Sequence, residues 1–235
     1  MTTGAILAGG RSTRFGDADK AVAPIADVPM IRRVADRLAG TDDPVPPGAG
    51  RASGGDPVVD ELVVNCRPDQ REAIERALSG VPLPVRWALD EEPDLGPLAG
   101  IRNACRAASE PYAAVVACDM PFVDPTFLAA VREKAAEPGF EAAEEAAEAV
   151  VPRLDDRWYQ TTQAVYATEP AAAACDRALD RGDRKVLAMV DQLEAVVVDD
   201  EAIQSLTTER TFTNVNTQSE LDEAKRAVAA ALGAE

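Results

Sequence analysis

The chain has 235 residues, 46% hydrophobic and 4% aromatic, with 24 basic and 41 acidic side chains for a net charge of −17. That size suits one domain, 1–235, with a core built from Ala, Val, Leu and Ile. The acidity excludes nonspecific nucleic-acid binding, which needs basic surface. No run is apolar enough to cross a bilayer and no signal-peptide pattern opens the chain, so a cytoplasmic protein is expected.

Residues 4–8, GAILA, read as a first strand. Residues 30–40 place Ile31, Val34, Ala35 and Leu38 on one helical face, with Gly40 as a stop. Residues 41–57 are dense in Pro, Gly and Asp and read as a surface-loop insertion. A strand follows at 61–65, then an amphipathic helix at 68–80 and a strand at 84–89. Residues 97–108 are helical. Residues 112–119 are almost wholly apolar, as a strand covered on both faces should be. Helix 124–137 opens on Asp124 as cap and Pro125. Residues 137–149 form an acidic insertion. The alternation resumes at 149–154, 161–167, a helix from about Glu169, 186–193 and 194–199, and a final helix spans 218–233. This β-α order predicts a Rossmann-like three-layer α/β/α fold with a mostly parallel sheet, whose ligands bind beyond the carboxyl ends of the strands.

Two readings of the acidity compete: an acidic interaction surface, and adaptation to a high-salt cytoplasm. The acids are dispersed and Arg far exceeds Lys, which favours the second. The sequence contains no histidine, which excludes Ser-His-Asp and Cys-His catalysis and His-ligated metals. Cys66, Cys105, Cys118 and Cys175 lack zinc-knuckle spacing and read as buried structural thiols.

The candidate chemistry sits at the strand ends. After the first strand, Gly9 and Gly10 let backbone N–H groups approach a ligand, and Arg14 and Lys20 add charge for a polyphosphate, as does Arg11 unless it faces solvent. Neither a Walker P-loop nor a dinucleotide fingerprint is present. Asp17 and Asp19 either shape that turn or take part in the site. Asn65, Asp90 and Asp119 follow the next three strands. Asp119 suits an Mg²⁺ site of carboxylate and water oxygens, or a simple turn.

The segment LAGGRSTRFGDADK resembles the signature of nucleotidyltransferases related to molybdenum cofactor guanylyltransferase. The resemblance extends through Asn65, DLGPLAG at 94–100, CDMPF at 118–122 and NVNTQSEL at 214–221. It implies the nucleotide-diphospho-sugar transferase type of fold, and transfer of GMP from GTP to a molybdopterin-type acceptor with release of pyrophosphate. It implies catalytic roles for Arg14, Lys20 and Asp119. It implies a nucleotide site of Leu7, Ala8, Gly9, Gly10, Lys20, Asn65, Asp90, Gly96, Pro97, Leu98 and Asp119. It also implies Mg²⁺ on Asp119 and Asn216, with Asn214 nearby; the asparagines would otherwise cap the last helix, a role open to Thr217 as well. Arg153, Arg157 and Gln163 fall where relatives bind the acceptor, or in a plain surface hairpin. Molybdoenzyme maturation proteins are implied as partners, and a monomer or weak homo-oligomer is expected. The alternatives are a cytidylyltransferase, a cobinamide-phosphate guanylyltransferase, or a non-catalytic nucleotide-binding protein on the same fold.

Overall fold

The computed structural model describes residues 1–10, 15, 19–41, 57–92, 95–136 and 146–232. The insertion expected at 41–57 therefore lies almost wholly outside the described residues, as does 137–145 of the acidic insertion.

Strand β1 (Thr3–Leu7) is flanked by two parallel neighbours, β4 (Glu61–Cys66) and β6 (Tyr112–Ala117). Beyond β4 lies β5 (Val85–Leu89), also parallel. The chain thus builds outward from β1 on one side and then crosses to the other. Such a reversal of strand order opens a crevice at the carboxyl edge. On the far side of β6 the sheet becomes mixed. β9 (Gln163–Ala167) pairs antiparallel with both β6 and β7 (Ala149–Leu154), and β10 (Ala195–Val198) runs parallel to β7. A short β8 (Trp158–Tyr159) folds back on β7.

Alternation along the strands sends side chains to two cores. Ile6, Val64 and Val116 join a core covered by α1 (Met30–Leu38), α2 (Arg71–Ala77) and α4 (Pro125–Ala136). Ala5, Val63 and Val115 face the other, covered by α3 (Pro97–Ala107), α5 (Thr168–Asp180) and the short α6 (Leu187–Val190). These layers give the expected α/β/α arrangement. The helix expected at 68–80 is shorter, and α7 (Asp200–Leu206), a 3-10 turn at Glu209–Phe212 and a ribbon of β2 (Pro24–Ile25) and β3 (Val28–Pro29) were not among the expected elements.

The ribbon matters for the site. Its turn residues, Ala26 and Asp27, both have positive φ (46° and 63°), as a two-residue hairpin turn requires. Ile25 and Met30 pack against Phe122, Val215 and the apolar face of α8 (Gln218–Leu232) in a small third core. That core brings the segment before Asn216 and the segment after Lys20 to the same edge of the sheet. α1 carries two fully buried arginines. Arg33 donates to the Ile25 carbonyl through Nε at 3.1 Å and Nη2 at 2.6 Å, and Arg37 Nε donates to the Val123 carbonyl. Buried guanidinium groups are tolerated because such acceptors replace water. Here they pin the ribbon and the loop after β6 to one helix. Among the described residues no helix is long and apolar enough to cross a membrane.

Candidate active site

A cavity of about 400 Å³ opens at the carboxyl edge of β1, β4, β5 and β6. Leu7, Ala8, Gly9 and Gly10 continue β1 into it, and Lys20 and Ala21 return to it. Asn65 comes from β4, Asp90 and Glu92 from the end of β5, and Ala117, Cys118 and Asp119 from the end of β6. Leu95, Gly96, Pro97 and Ala99 bring the start of α3 to the opposite wall. Gly96 is the N-cap and Pro97 the first residue of that helix, whose first-turn N–H groups lack partners in their own helix. Leu98 is the exception in this stretch: its side chain is fully buried in the core below. Arg14, Arg11 and Asp17 lie outside the described residues.

One wall is polar and held by amides. Asp90 Oδ1 accepts from Asn65 Nδ2 at 2.7 Å and from Asn103 Nδ2 at 3.3 Å, and Asn65 Nδ2 also donates to the Ala88 carbonyl at 2.9 Å. Two glycines make room for this cluster. A Cβ at Gly9 would collide with Asp90 Oδ2, and one at Gly100 would stand 2.6 Å from Asn65 Oδ1. A carboxylate held this way presents its second oxygen as an acceptor, which suits the N–H groups of a base or the hydroxyls of a ribose.

The other wall is ionic. Lys20 Nζ donates to Asp119 Oδ2 at 2.5 Å and to Asn216 Oδ1 at 3.0 Å. Asp119 is 9% exposed, and its Oδ1 is buried with no hydrogen-bond partner among the described residues. A buried carboxylate oxygen left unpaired is costly unless a cation or donor arrives. Asn216 is positioned from both sides. The Val215 N–H donates to the Asp119 carbonyl at 2.9 Å, and the Asn216 N–H donates to Glu220 Oε2 at 2.7 Å. Glu220 also accepts from the Thr217 N–H at 2.8 Å, while Thr217 Oγ1 accepts from the Glu220 N–H at 3.2 Å. This is a capping box, and these bonds hold the Glu220 carboxyl below the ordinary glutamate range. Thr217 therefore takes the capping duty, and the Asn216 side chain is left to the site. Asn214 donates to the Phe212 carbonyl instead.

Cys118 borders the cavity, but burial first, and then the Asp119 charge, push its thiol far up. It stays protonated and is no nucleophile. Burial likewise pushes the Cys66 and Cys105 thiols up to about 12.

The segment expected to meet an acceptor divides. Gln163 is fully buried and donates to Thr211 Oγ1 at 2.6 Å, so it faces away from the cavity, whose wall takes its neighbour Thr162. Arg153 lies over the Tyr159 ring at 5.7 Å and pairs with Asp156 at 3.4 Å, and Arg157 is exposed. Neither arginine lines the cavity.

Sequence reading missed Arg67 and Asn103. Arg67 Nη1 donates to the Gly9 and Gly10 carbonyls at 3.2 and 2.8 Å, while its Nε and Nη2 pair with Asp69. Their only signal was polarity just after a strand or within a helix, which most such residues share.

A three-layer fold with glycines, a lysine and a carboxylate that keeps one buried oxygen unpaired at the carboxyl edge of its sheet defines a class of protein, the nucleotidyltransferases. The chain belongs to the MobA-like NTP transferase domain family, whose model matches residues 4–197. It is 40% identical over 223 residues to a probable molybdenum cofactor guanylyltransferase of Natronomonas pharaonis, covering 95% of this chain and 96% of the relative. It is 35% identical to one of the same description from Haloferax mediterranei, covering 93% and 90%. Its fold matches the molybdopterin-guanine dinucleotide biosynthesis protein A of Archaeoglobus fulgidus, with a TM-score of 0.71 at 24% identity over 98% of this chain and 100% of that one.

Proposed function

We propose that the chain transfers GMP from GTP to the terminal phosphate of a molybdopterin-type acceptor. An acceptor phosphate oxygen bonds to the α-phosphorus, the bond from that phosphorus to the β-phosphate oxygen breaks, and pyrophosphate leaves with the electron pair. The attacking phosphate is already anionic near neutrality, so no side chain need take a proton from it. This accords with a chain lacking histidine and a cavity whose thiol is held protonated.

The observation that carries the reading is the Lys20–Asp119–Asn216 constellation, with its unpaired Asp119 oxygen, facing the amide-held Asp90 across one cavity. Asp90 and Asn65, with the start of α3, are assigned to the base and ribose. The backbone at Leu7–Gly10 is assigned close approach to the nucleotide, and Leu98 offers only its backbone to it. Lys20 stabilises charge on the phosphates and leaving pyrophosphate, and Arg14 is assigned the same task. Asp119 and Asn216 offer oxygens that fit a divalent cation, Mg²⁺, which binds proteins through few carboxylates and takes its other ligands from phosphates and water. When bound, that ion neutralises charge on the reacting phosphates.

Incubation with MgGTP and a molybdopterin-bearing cofactor, followed by mass spectrometry, tests the reading. A guanine dinucleotide and one pyrophosphate per turnover are expected. Efficient turnover of CTP in place of GTP would reassign the base, and product only with a cobinamide phosphate would reassign the acceptor.

A further inference from the structure

Gln70 stands one residue before α2, and its side chain is only 3% exposed. Its whole amide is engaged. Nε2 donates to the Ala8 carbonyl at 3.1 Å and to Asp19 Oδ2 at 2.8 Å, and Oε1 accepts the Arg67 N–H at 3.0 Å. Ala8 is where β1 gives way to the glycines, and Asp19 directly precedes Lys20. One buried nitrogen therefore joins the two ends of the glycine- and arginine-bearing stretch. The other oxygen of Asp19 accepts from the Ala21 N–H at 3.0 Å and caps the 3-10 turn Lys20–Val22. From that turn Lys20 reaches Asp119 and Asn216. The contacts form a continuous line from Gln70 through Asp19 and the turn to the ammonium.

Few side chains can occupy this place. A carbonyl and a carboxylate both need donors, and a backbone N–H needs an acceptor. Glutamine supplies two donors on one planar nitrogen and one acceptor, without a charge. A glutamate of the same shape would set a second carboxylate against Asp19 in a buried pocket.

We propose that Gln70 is a positioning residue of the nucleotide site, fixing Asp19 and the Lys20 turn against the end of β1 so that the ammonium meets the nucleotide phosphates. The identity of that ligand rests on the nucleotidyl-transfer reading above. A purely structural role, tying α2 to the sheet, would act equally with or without Lys20; a positioning role acts through it.

The test is a double-mutant cycle on the full chain in high salt. MgGTP affinity is measured by equilibrium dialysis for Gln70→Glu and Gln70→Met, each alone and combined with Lys20→Ala, with melting temperatures recorded. With Lys20 present, each change is expected to weaken binding about tenfold or more, the scale of a lost charge-assisted hydrogen bond. With Lys20 replaced, the same changes should cost about twofold or less. Equal losses in both backgrounds, or no loss in either, would overturn the proposal. If Gln70→Glu does not fold, Gln70→Met decides, because it removes the donors without burying a charge. Failure of both to fold would assign Gln70 to the fold alone and end the proposal. Dialysis needs no acceptor, so the result for Gln70 is independent of the transfer assay that tests the reaction.

Discussion

Lys20→Ala removes the ammonium that joins Asp119 to Asn216 and leaves a buried carboxylate oxygen and a partly exposed amide oxygen without their shared donor. Donors aimed at developing phosphate charge each contribute on the order of a hundredfold or more in rate. Turnover should fall by at least about that factor in Lys20→Ala and in Asp119→Asn. Circular dichroism should show both folds intact in high salt. Wild-type GMP transfer by either variant would sink the assignment of these residues. Gly9→Ala makes a different test. Its methyl group would meet the Asp90 carboxylate, which Asn65 and Asn103 hold in place, so either the loop or the acid must move. Nucleotide affinity should drop about tenfold or more, as when a close contact in a packed site is displaced. Dialysis against MgGTP reads this directly, and unchanged affinity would show that Gly9 stands clear of the bound ligand.

Elements at the opposite end of the sheet make a control on that logic. Glu61 opens β4 and ties three elements together. Its Oε1 accepts from the Thr3 hydroxyl at 2.7 Å and the Ser109 N–H at 2.7 Å, and its Oε2 accepts from Arg86 Nε at 2.8 Å. Burial alone would raise its pKa; the bonds from Ser109, Thr3 and Arg86 outweigh it and hold the carboxyl below its ordinary 4.5. As pH falls, the unfolded chain takes up this proton first. The stability Glu61 contributes is therefore full above about 4.5 and lost as pH drops through the lower folded value. Glu61→Gln should lower the urea midpoint at pH 7, narrow the gap to wild type on acidification, and leave nucleotide affinity alone. A constant gap from pH 7 to below pH 4 would remove Glu61 as the source.

The elements also show how far sequence reached. β1, β4 and β6 were legible because buried parallel strands are continuous apolar runs, and the glycines, Asn65 and Asp119 because they interrupt such runs at one end; β5 is a part-exposed edge strand, marked by the apolar residues around Arg86 and by Asp90 at its end. The β2–β3 ribbon was not legible, since its turn uses Ala26 and Asp27 where an Asn-Gly pair would have announced it. Nothing in the sequence marked Arg33 and Arg37 as buried; their burial depends on carbonyls of Ile25 and Val123 that only the tertiary fold supplies. Gln163 erred the other way: a polar residue beside the cavity in sequence turned inward to Thr211. Gln70 was invisible because its partners, Ala8 and Asp19, are distant in the chain.

For the whole molecule, charge is the dominant unbalanced quantity. Many basic groups are already spent locally, as in Arg32–Asp36, Arg86–Glu61 and Arg106–Asp176, yet 41 acids face 24 bases. The excess repels itself more in the compact state than in the expanded chain, so it destabilises the fold in dilute salt. The screening length is about 10 Å at 0.1 M salt and about 3 Å at 1 M, so between those concentrations neighbouring carboxylates cease to feel one another. The urea midpoint should therefore rise steeply with KCl up to about 1 M and flatten beyond it. Exclusion of salt from apolar surface would instead give a rise that continues at higher concentration. The same field opposes the approach of GTP, an anion that must cross an acidic surface to reach Lys20. Stopped-flow association of MgGTP should accelerate over the same salt range, although screening also weakens its attraction to the lysine. An association rate that falls monotonically with salt would mean that the local charge at the cavity, and not the net charge of −17, governs entry.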